Sequence, residues 1–334
     1  SMTFLKKICS VATIAIIAAA TPALSEAEFT MRIASGTPSA GNVCNNYLDA
    51  WANEVKERSG GRIDWELHCD GTLAKMGDSV NRVQQGIADV AWDLPAAYGA
   101  RFEALNVIGV PGLYADPEPA SGALWNTYES GALGEITDVQ LLWVQAVVNQ
   151  SLFMREGLEN YTELEGVKFA LGSQIRAAVI EELGAVPVAL KVTEYYQAMA
   201  RGTVDGMMTT PAAMFDFGID EHVTEIFNAP FGGGMSFVVM NNDFYNSLPD
   251  DLKAIIDETT GYERSKWASA YLRDDDNANL GALSGVTIVE AGPDDLAAIE
   301  LGIEAGRALY LSGSPERVRY LDAINAALSV ELSN

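Results

Sequence analysis

The sequence predicts an α/β chain folded as two similarly wound lobes, each a mainly parallel sheet flanked by helices. Three observations carry this. The stretch 163–211 alternates short apolar runs (167–171, 186–190, 203–207) with helical segments closed by Gly184 and Gly202. That pattern makes a parallel sheet with helical crossovers, whose ligands bind at the carboxyl ends of the strands. A second Gly-x-x-Asp turn, Gly86-Ile87-Ala88-Asp89, echoes Gly202-Thr203-Val204-Asp205 of that stretch, which fits two facing halves. With 334 residues, 49% of them apolar, the chain is long enough for two ordinary domains with cores of their own.

In chain order, Lys6-Lys7, the apolar run 8–20 and the small-x-small Ala23-Leu24-Ser25 read as a secretory signal peptide over 1–25, too short for a membrane span. Residues 29–35 form a first strand and 36–42 a Gly, Pro, Ser and Asn loop. A helix over 43–59 puts Tyr47, Leu48, Trp51 and Val55 on one face and stops at Gly60-Gly61. Strands follow at 62–69 and, after a short helix, at 87–94. Residues 141–148 make a strongly apolar strand before a first crossing near Asn149. The return crossing is expected at the buried strand 237–241. The helix opened by Leu248-Pro249-Asp250-Asp251 runs to about 283 unless Gly261 breaks it. Asp274-Asp275-Asp276 reads as a solvated face, lacking the glycine and terminal glutamate of a calcium loop. Residues 286–290 are the last strand and the tail is helical.

Of the three cysteines, Cys9 belongs to the signal. Cys44 and Cys69 remain, and in an exported chain a disulfide is their natural state, with two buried thiols as the alternative.

Several of these segments resemble the periplasmic solute-binding proteins of TRAP transporters (the DctP family). The resemblance rests on Glu165-Gly166-Val167-Lys168-Phe169-Ala170, Leu183-Gly184-Ala185-Val186-Pro187, Thr193-Glu194-Tyr195-Tyr196 and Gly202-Thr203-Val204-Asp205-Gly206. In the first half it rests on Ser59-Gly60-Gly61-Arg62-Ile63 and Val110-Pro111-Gly112-Leu113-Tyr114. It implies the two-lobed periplasmic-binding-protein fold, with lobe I at 26–149 plus 238–280, lobe II at 150–237 plus 281–334, and a long helix spanning both. It further implies a solute bound in the interlobe cleft and delivered to TRAP membrane subunits, with no cofactor.

The resemblance fails at one place. The family's carboxylate-pairing Arg falls here on Ala170, which offers no donor. Arg176, six residues on and near the start of the next helix, is the first candidate to replace it, and Lys191 the second. Further cleft candidates are Trp92 and Asp93 at the end of the third strand, Asn149 at the crossing, Phe169 beside Ala170, and Thr209 and Thr210 before Pro211. Trp92, Phe153, Phe169, Phe215 and Phe237 stand near strand ends. Two of these rings in the pocket would make an aromatic wall, which with one cation suits a small aromatic carboxylate. The ligand is therefore expected to be a small organic acid. A neutral or cationic solute held by Asp93 is the alternative, and an exported enzyme a distant one.

Composition narrows the classes. Forty-six acids against 21 bases, a net charge of −25, argue against nucleic acid and anionic lipid surfaces. So acidic a shell also repels anions at long range, so any anion site must be locally positive. No Gly-x-Ser-x-Gly elbow or His-Glu-x-x-His occurs. A metal site at His68, Cys69 and Asp70 would need adjacent strand residues on one face, against the two-residue period. No catalytic residues and no metal ligands are assigned.

Overall fold

Short β-branched and apolar runs become eleven strands in the computed structural model, which describes residues 26–334; the expected signal peptide at 1–25 lies outside the described residues. The strands are β1 (Phe29–Ser35), β2 (Ile63–His68), β3 (Val90–Asp93), β4 (Gln140–Ala146), β5 (Ser151–Met154), β6 (Lys168–Leu171), β7 (Val186–Ala189), β8 (Gly206–Thr209), β9 (Glu225–Asn228), β10 (Met235–Met240) and β11 (Thr287–Glu290). They form two sheets, ordered β2-β1-β3-β10-β4 and β11-β9-β5-β8-β6-β7. β1 pairs in parallel with β2 and β3, and β6 with β7 and β8, while β10 and β5 enter antiparallel. Helices cover both faces of each sheet, so each lobe has two apolar cores.

The two Gly-x-x-Asp turns do the same job in the two lobes. Asp89 accepts from the Arg32 backbone N–H at 2.8 Å through Oδ2, and its own N–H donates to the Arg32 carbonyl at 2.9 Å. Asp205 accepts from the Lys168 N–H at 2.8 Å and donates back to Lys168 at 2.8 Å. Each Asp thus satisfies backbone of a neighbouring strand. The strands begin later than their apolar runs suggest, at Val90 and Gly206, because the residues after each glycine close the preceding helix: Thr203 N–H bonds the Ala198 carbonyl, and Ile87 N–H that of Arg82.

Four segments cross between the lobes: 147–150, 229–234, the helix Tyr262–Ala282 that leads into β11, and 312–315 near the end of the chain. The first two are bonded to each other, by Val147 N–H to Gly234 O (3.0 Å), Gln150 N–H to Gly232 O (2.8 Å) and Phe231 N–H to Gln150 O (3.2 Å). They form a two-stranded ribbon at the base of the cleft.

Three expectations are corrected, and the break left open at Gly261 is found. β10 starts at Met235, and Phe237 pairs with Asp93 and Val144, so 235–237 belong to the first lobe and the return crossing is 229–234. The tail does not all belong to the second lobe. Helix Pro293–Leu311 packs on Gln174–Glu181 of that lobe, but Glu316–Leu332 returns to Pro117–Glu129 of the first, where Glu331 accepts from Tyr262 Oη at 2.8 Å. The long helix is two, Asp250–Thr259 and Tyr262–Ala282, broken where Gly261 takes a left-handed φ of 85° beside the Trp125 ring. The first helix is regular only over Asp49–Arg58. Before it, Cys44–Leu48 is kinked at Asn45 and Asn46, with φ of 68° at Asn46. Cys44 and Cys69 are joined as a disulfide, which ties this kinked segment to the end of β2.

Among the described residues, no helix is long and apolar enough to cross a membrane.

Candidate functional site

The carboxyl ends of β1 and β3 lie side by side in the first sheet, and those of β6, β7 and β8 in the second. Just past β6, Ser173 caps the helix Gln174–Glu181: its hydroxyl accepts from the Arg176 N–H at 3.2 Å. A helical side chain leans back toward the amino end of its helix. Arg176 accordingly reaches the ribbon, where its Nη1 donates to the Gly233 carbonyl.

The surroundings of Arg176 are short of negative charge. Burial lowers its pKa, partly offset by Tyr195 and Tyr114 nearby. Burial likewise raises the Tyr195 phenol to about 12 and pushes Tyr114 up. Nε is buried without a hydrogen-bond partner, and among the described residues no carboxylate forms an ion pair with this guanidinium. The residue is only half-buried as a whole, but a buried polar atom without a partner is costly, and a guanidinium fork matches a carboxylate with two parallel hydrogen bonds.

The ribbon is shaped to admit these groups. A Cβ at Gly233 would stand 1.7 Å from Tyr114 Oη, so only glycine fits there. Tyr114 Oη donates to the Val147 carbonyl, and Asn149 Nδ2 donates to the Tyr114 carbonyl at 2.9 Å. Tyr114 therefore holds the ribbon from the first lobe while Arg176 holds it from the second. Behind it a buried polar chain runs from Trp143 Nε1 to Tyr47 Oη (2.8 Å), then to Gln145 Oε1 (2.9 Å), which also accepts from Ser236 (2.8 Å).

The other expected residues divide. Asn149 lies in the ribbon. Thr209 and Thr210 lie at the end of β8, buried, with the Thr210 hydroxyl capping the next helix at 3.3 Å from the Ala213 N–H. Trp92 is 7% exposed and its indole N–H has no acceptor, which leaves it a donor at the end of β3. Phe169 and Ala170 are fully buried in opposite cores of the second lobe, Phe169 among Val179 and Ile180, Ala170 among Tyr195, Met199 and Met207. Both side chains are core, with no exposed surface. Phe153 and Phe237 are also fully buried.

Asp93 is spoken for. It accepts from the N–H groups of Gly77 (3.0 Å), Ser79 (3.1 Å) and Leu94 (2.8 Å) and from Tyr98 Oη, and burial raises its pKa against those bonds. It organises the turn at 77–79 and has no oxygen left for a ligand. Lys191 is exposed at the amino end of its helix. Sequence reasoning did not single out Tyr114 and Tyr195 as site residues, although both sit in segments that carry the family resemblance.

With this geometry in view, the profile of bacterial extracellular solute-binding proteins, family 7 (DctP), matches residues 34–306, and the chain belongs to that family of TRAP solute receptors. A solute-binding protein of Albidiferax ferrireducens is 26% identical over 251 residues, 72% of each chain. The C4-dicarboxylate-binding periplasmic protein DctP of Rhodobacter capsulatus is 23% identical over 84% of each. Among solved structures, a TRAP solute-binding protein of Rhodoferax ferrireducens in complex with copurified benzoate superposes with a TM-score of 0.85 at 21% identity, covering 91% of this chain and 98% of that one. A marine metagenome TRAP protein specific for aromatic acids, bound to 3-hydroxybenzoate, gives 0.84 at 22% identity, covering 91% and 99%.

Proposed function

We propose that this chain is the periplasmic receptor of a TRAP transporter for a small aromatic carboxylate, and that it is not an enzyme. The carrying observation is Arg176, a guanidinium held between the lobes at the crossing ribbon with a buried, unpartnered Nε and no carboxylate of its own. Arg176 takes the carboxylate in place of the cation missing at Ala170. Tyr114 and Tyr195 flank that pair, and Trp92, Asn149, Thr209 and Thr210 are the further residues this reading assigns to the ligand. The benzoate and hydroxybenzoate bound by the two similar structures support the aromatic class. The signal-like segment at 1–25 supports export, and the family supports delivery to membrane subunits by the closed form.

Closure follows from contacts made only when both lobes meet the ligand. The strongly negative chain repels anions at a distance, so selectivity resides in this one local cation. The test is a thermal-shift screen of the mature protein against benzoate, 3-hydroxybenzoate, amines and polyols. A ligand at a hundredfold its Kd adds about 2.7 kcal/mol of stability. The aromatic acids are expected to raise the melting temperature. A response confined to amines or polyols would refute the acid reading.

A further inference from the structure

A second charged group lies between the lobes, away from Arg176. The loop after β1 reaches the second lobe through Asn42, whose backbone N–H donates to Asp216 Oδ1 at 3.1 Å. Its side-chain amide donates to Asp275 Oδ2, which also accepts from Asn279 at 2.8 Å. The approach is close: a Cβ on Gly41 would lie 2.8 Å from Asp216 Cγ. Asp276, next to Asp275, is 3% exposed, and its Oδ1 is buried with no hydrogen-bond partner. The expected solvated face is thus exposed only at Asp274.

The charges facing Asp276 are its neighbour Asp275 and, from helix Pro211–Asp216, Asp216. From the first lobe, Asp49 and Tyr271 complete the group, and Asp49 Oδ1 is also buried and unpartnered. The nearest cation in sequence, Arg273, is taken by Asp116, Glu118 and Asp274. Among the described residues none of Asp49, Asp216, Asp275 or Asp276 has an ion-pair partner, and no cluster of acids has the arrangement of a metal site.

We propose that closing the lobes takes up a proton into the carboxylate group formed by Asp216, Asp275 and Asp276, so that the closed receptor is a proton-bound state. Like charges crowded out of water cannot all stay ionised. A proton on Asp276 turns an orphan acceptor into a donor and removes one of the repelling charges. Opening withdraws Asn42 from Asp216 and lets water reach the group, so the carboxylates return to ordinary acidity. With Asn42 in place on Asp216 and Asp275, burial and the neighbouring Asp275 and Asp216 hold the Asp276 pKa up at about 8, against about 4 for a solvated Asp. The raised value belongs to the closed state, so closure is favoured at low pH and weakens as pH rises through that window. The limit is about tenfold in the closed-to-open ratio per pH unit.

This inference goes beyond the aromatic-acid reading and is tested without any organic ligand. Nitroxide labels on Glu57→Cys and Glu182→Cys, exposed on opposite lobes, report the interlobe distance by pulsed electron resonance. Between about pH 6 and about pH 9 the closed-to-open ratio is expected to fall by about tenfold or more. In Asp276→Asn it stays closed across that range, and Asp216→Asn, which can keep the Asn42 bond, shows a reduced dependence. The proposal is overturned by a distance distribution that ignores pH, by variants that follow the parent's pH course, or by calcium reclosing the protein at high pH, which would make the group a metal site.

Discussion

Arg176 and the Asp216–Asp275–Asp276 group both lie where the two lobes meet, and they are opposites. The first is a cation with no anion beside it. The second is a set of anions with no cation beside them. In each a buried polar atom lacks a partner, Nε of Arg176 and Oδ1 of Asp276. Orphan charges are rare because each costs desolvation that nothing offsets. Here the difference in sign assigns different partners: a carboxylate at one contact, a proton at the other. The receptor can thereby sense a ligand and the pH of its surroundings through separate residues that bias one motion.

The largest expected effect separates the two contacts mechanically. The Cys44–Cys69 disulfide holds the kinked segment beside Asn42, which touches only the acidic group. Its 25-residue separation implies about 3 kcal/mol of stability lost in Cys44→Ser with Cys69→Ser, read by chemical denaturation. The pair of changes should loosen pH-linked closure while aromatic acids, once bound, still depend on Arg176. Equal damage to both would mean that the contacts are not separable.

Next comes Arg176→Ala, expected to weaken aromatic-acid binding by about 2 kcal/mol, roughly thirtyfold, as one charged hydrogen-bonding group is lost. Isothermal titration checks this. Arg176→Lys should recover part of the loss but not the bidentate geometry.

Stability should also depend on pH. The native carboxyl of Asp276 has a pKa raised to about 8. The unfolded chain releases this proton near pH 4, so the folded state binds more protons between about 4 and 8. Stability therefore falls as pH rises through that window and levels off above it. Thermal melts should show a loss of about 1 kcal/mol or more in the parent and a flatter course in Asp276→Asn; the same slope in both would remove Asp276 from the account.

The smallest effect is expected at Asp93. Its four donors are all internal, so Asp93→Asn should lower stability yet change aromatic-acid affinity by less than about threefold, about 0.7 kcal/mol. A larger change in titration would return Asp93 to the cleft.

The sequence was most legible where one local rule decides. Apolar runs located the strands, and the paired Gly-x-x-Asp turns proved to have the same hydrogen bonds in both lobes. It was least legible where long-range packing decides. Phe169 and Ala170 stand at a strand end that faces the cleft, but their side chains point into cores on the two sides of the sheet. Asp274-Asp275-Asp276 reads as surface by composition, but its last member is buried with Asp216 and the Ala212 backbone, far off in sequence, beside it. The reach of Arg176 to the ribbon follows a local rule, because helix geometry projects the third residue after a cap back toward the helix start. Gly233, whose carbonyl Arg176 meets and whose bare Cα makes room for Tyr114, carries no signal in the sequence.

The central claim is that Arg176 grips a ligand carboxylate, and one calorimetric cycle tests it most directly. Benzoate and its neutral amide are titrated into the parent and into Arg176→Ala. The account predicts that the parent binds the acid at least about tenfold (1.4 kcal/mol) more tightly than the amide, and that the preference disappears in the variant. An amide bound as well as the acid, or a preference that survives without Arg176, would contradict it.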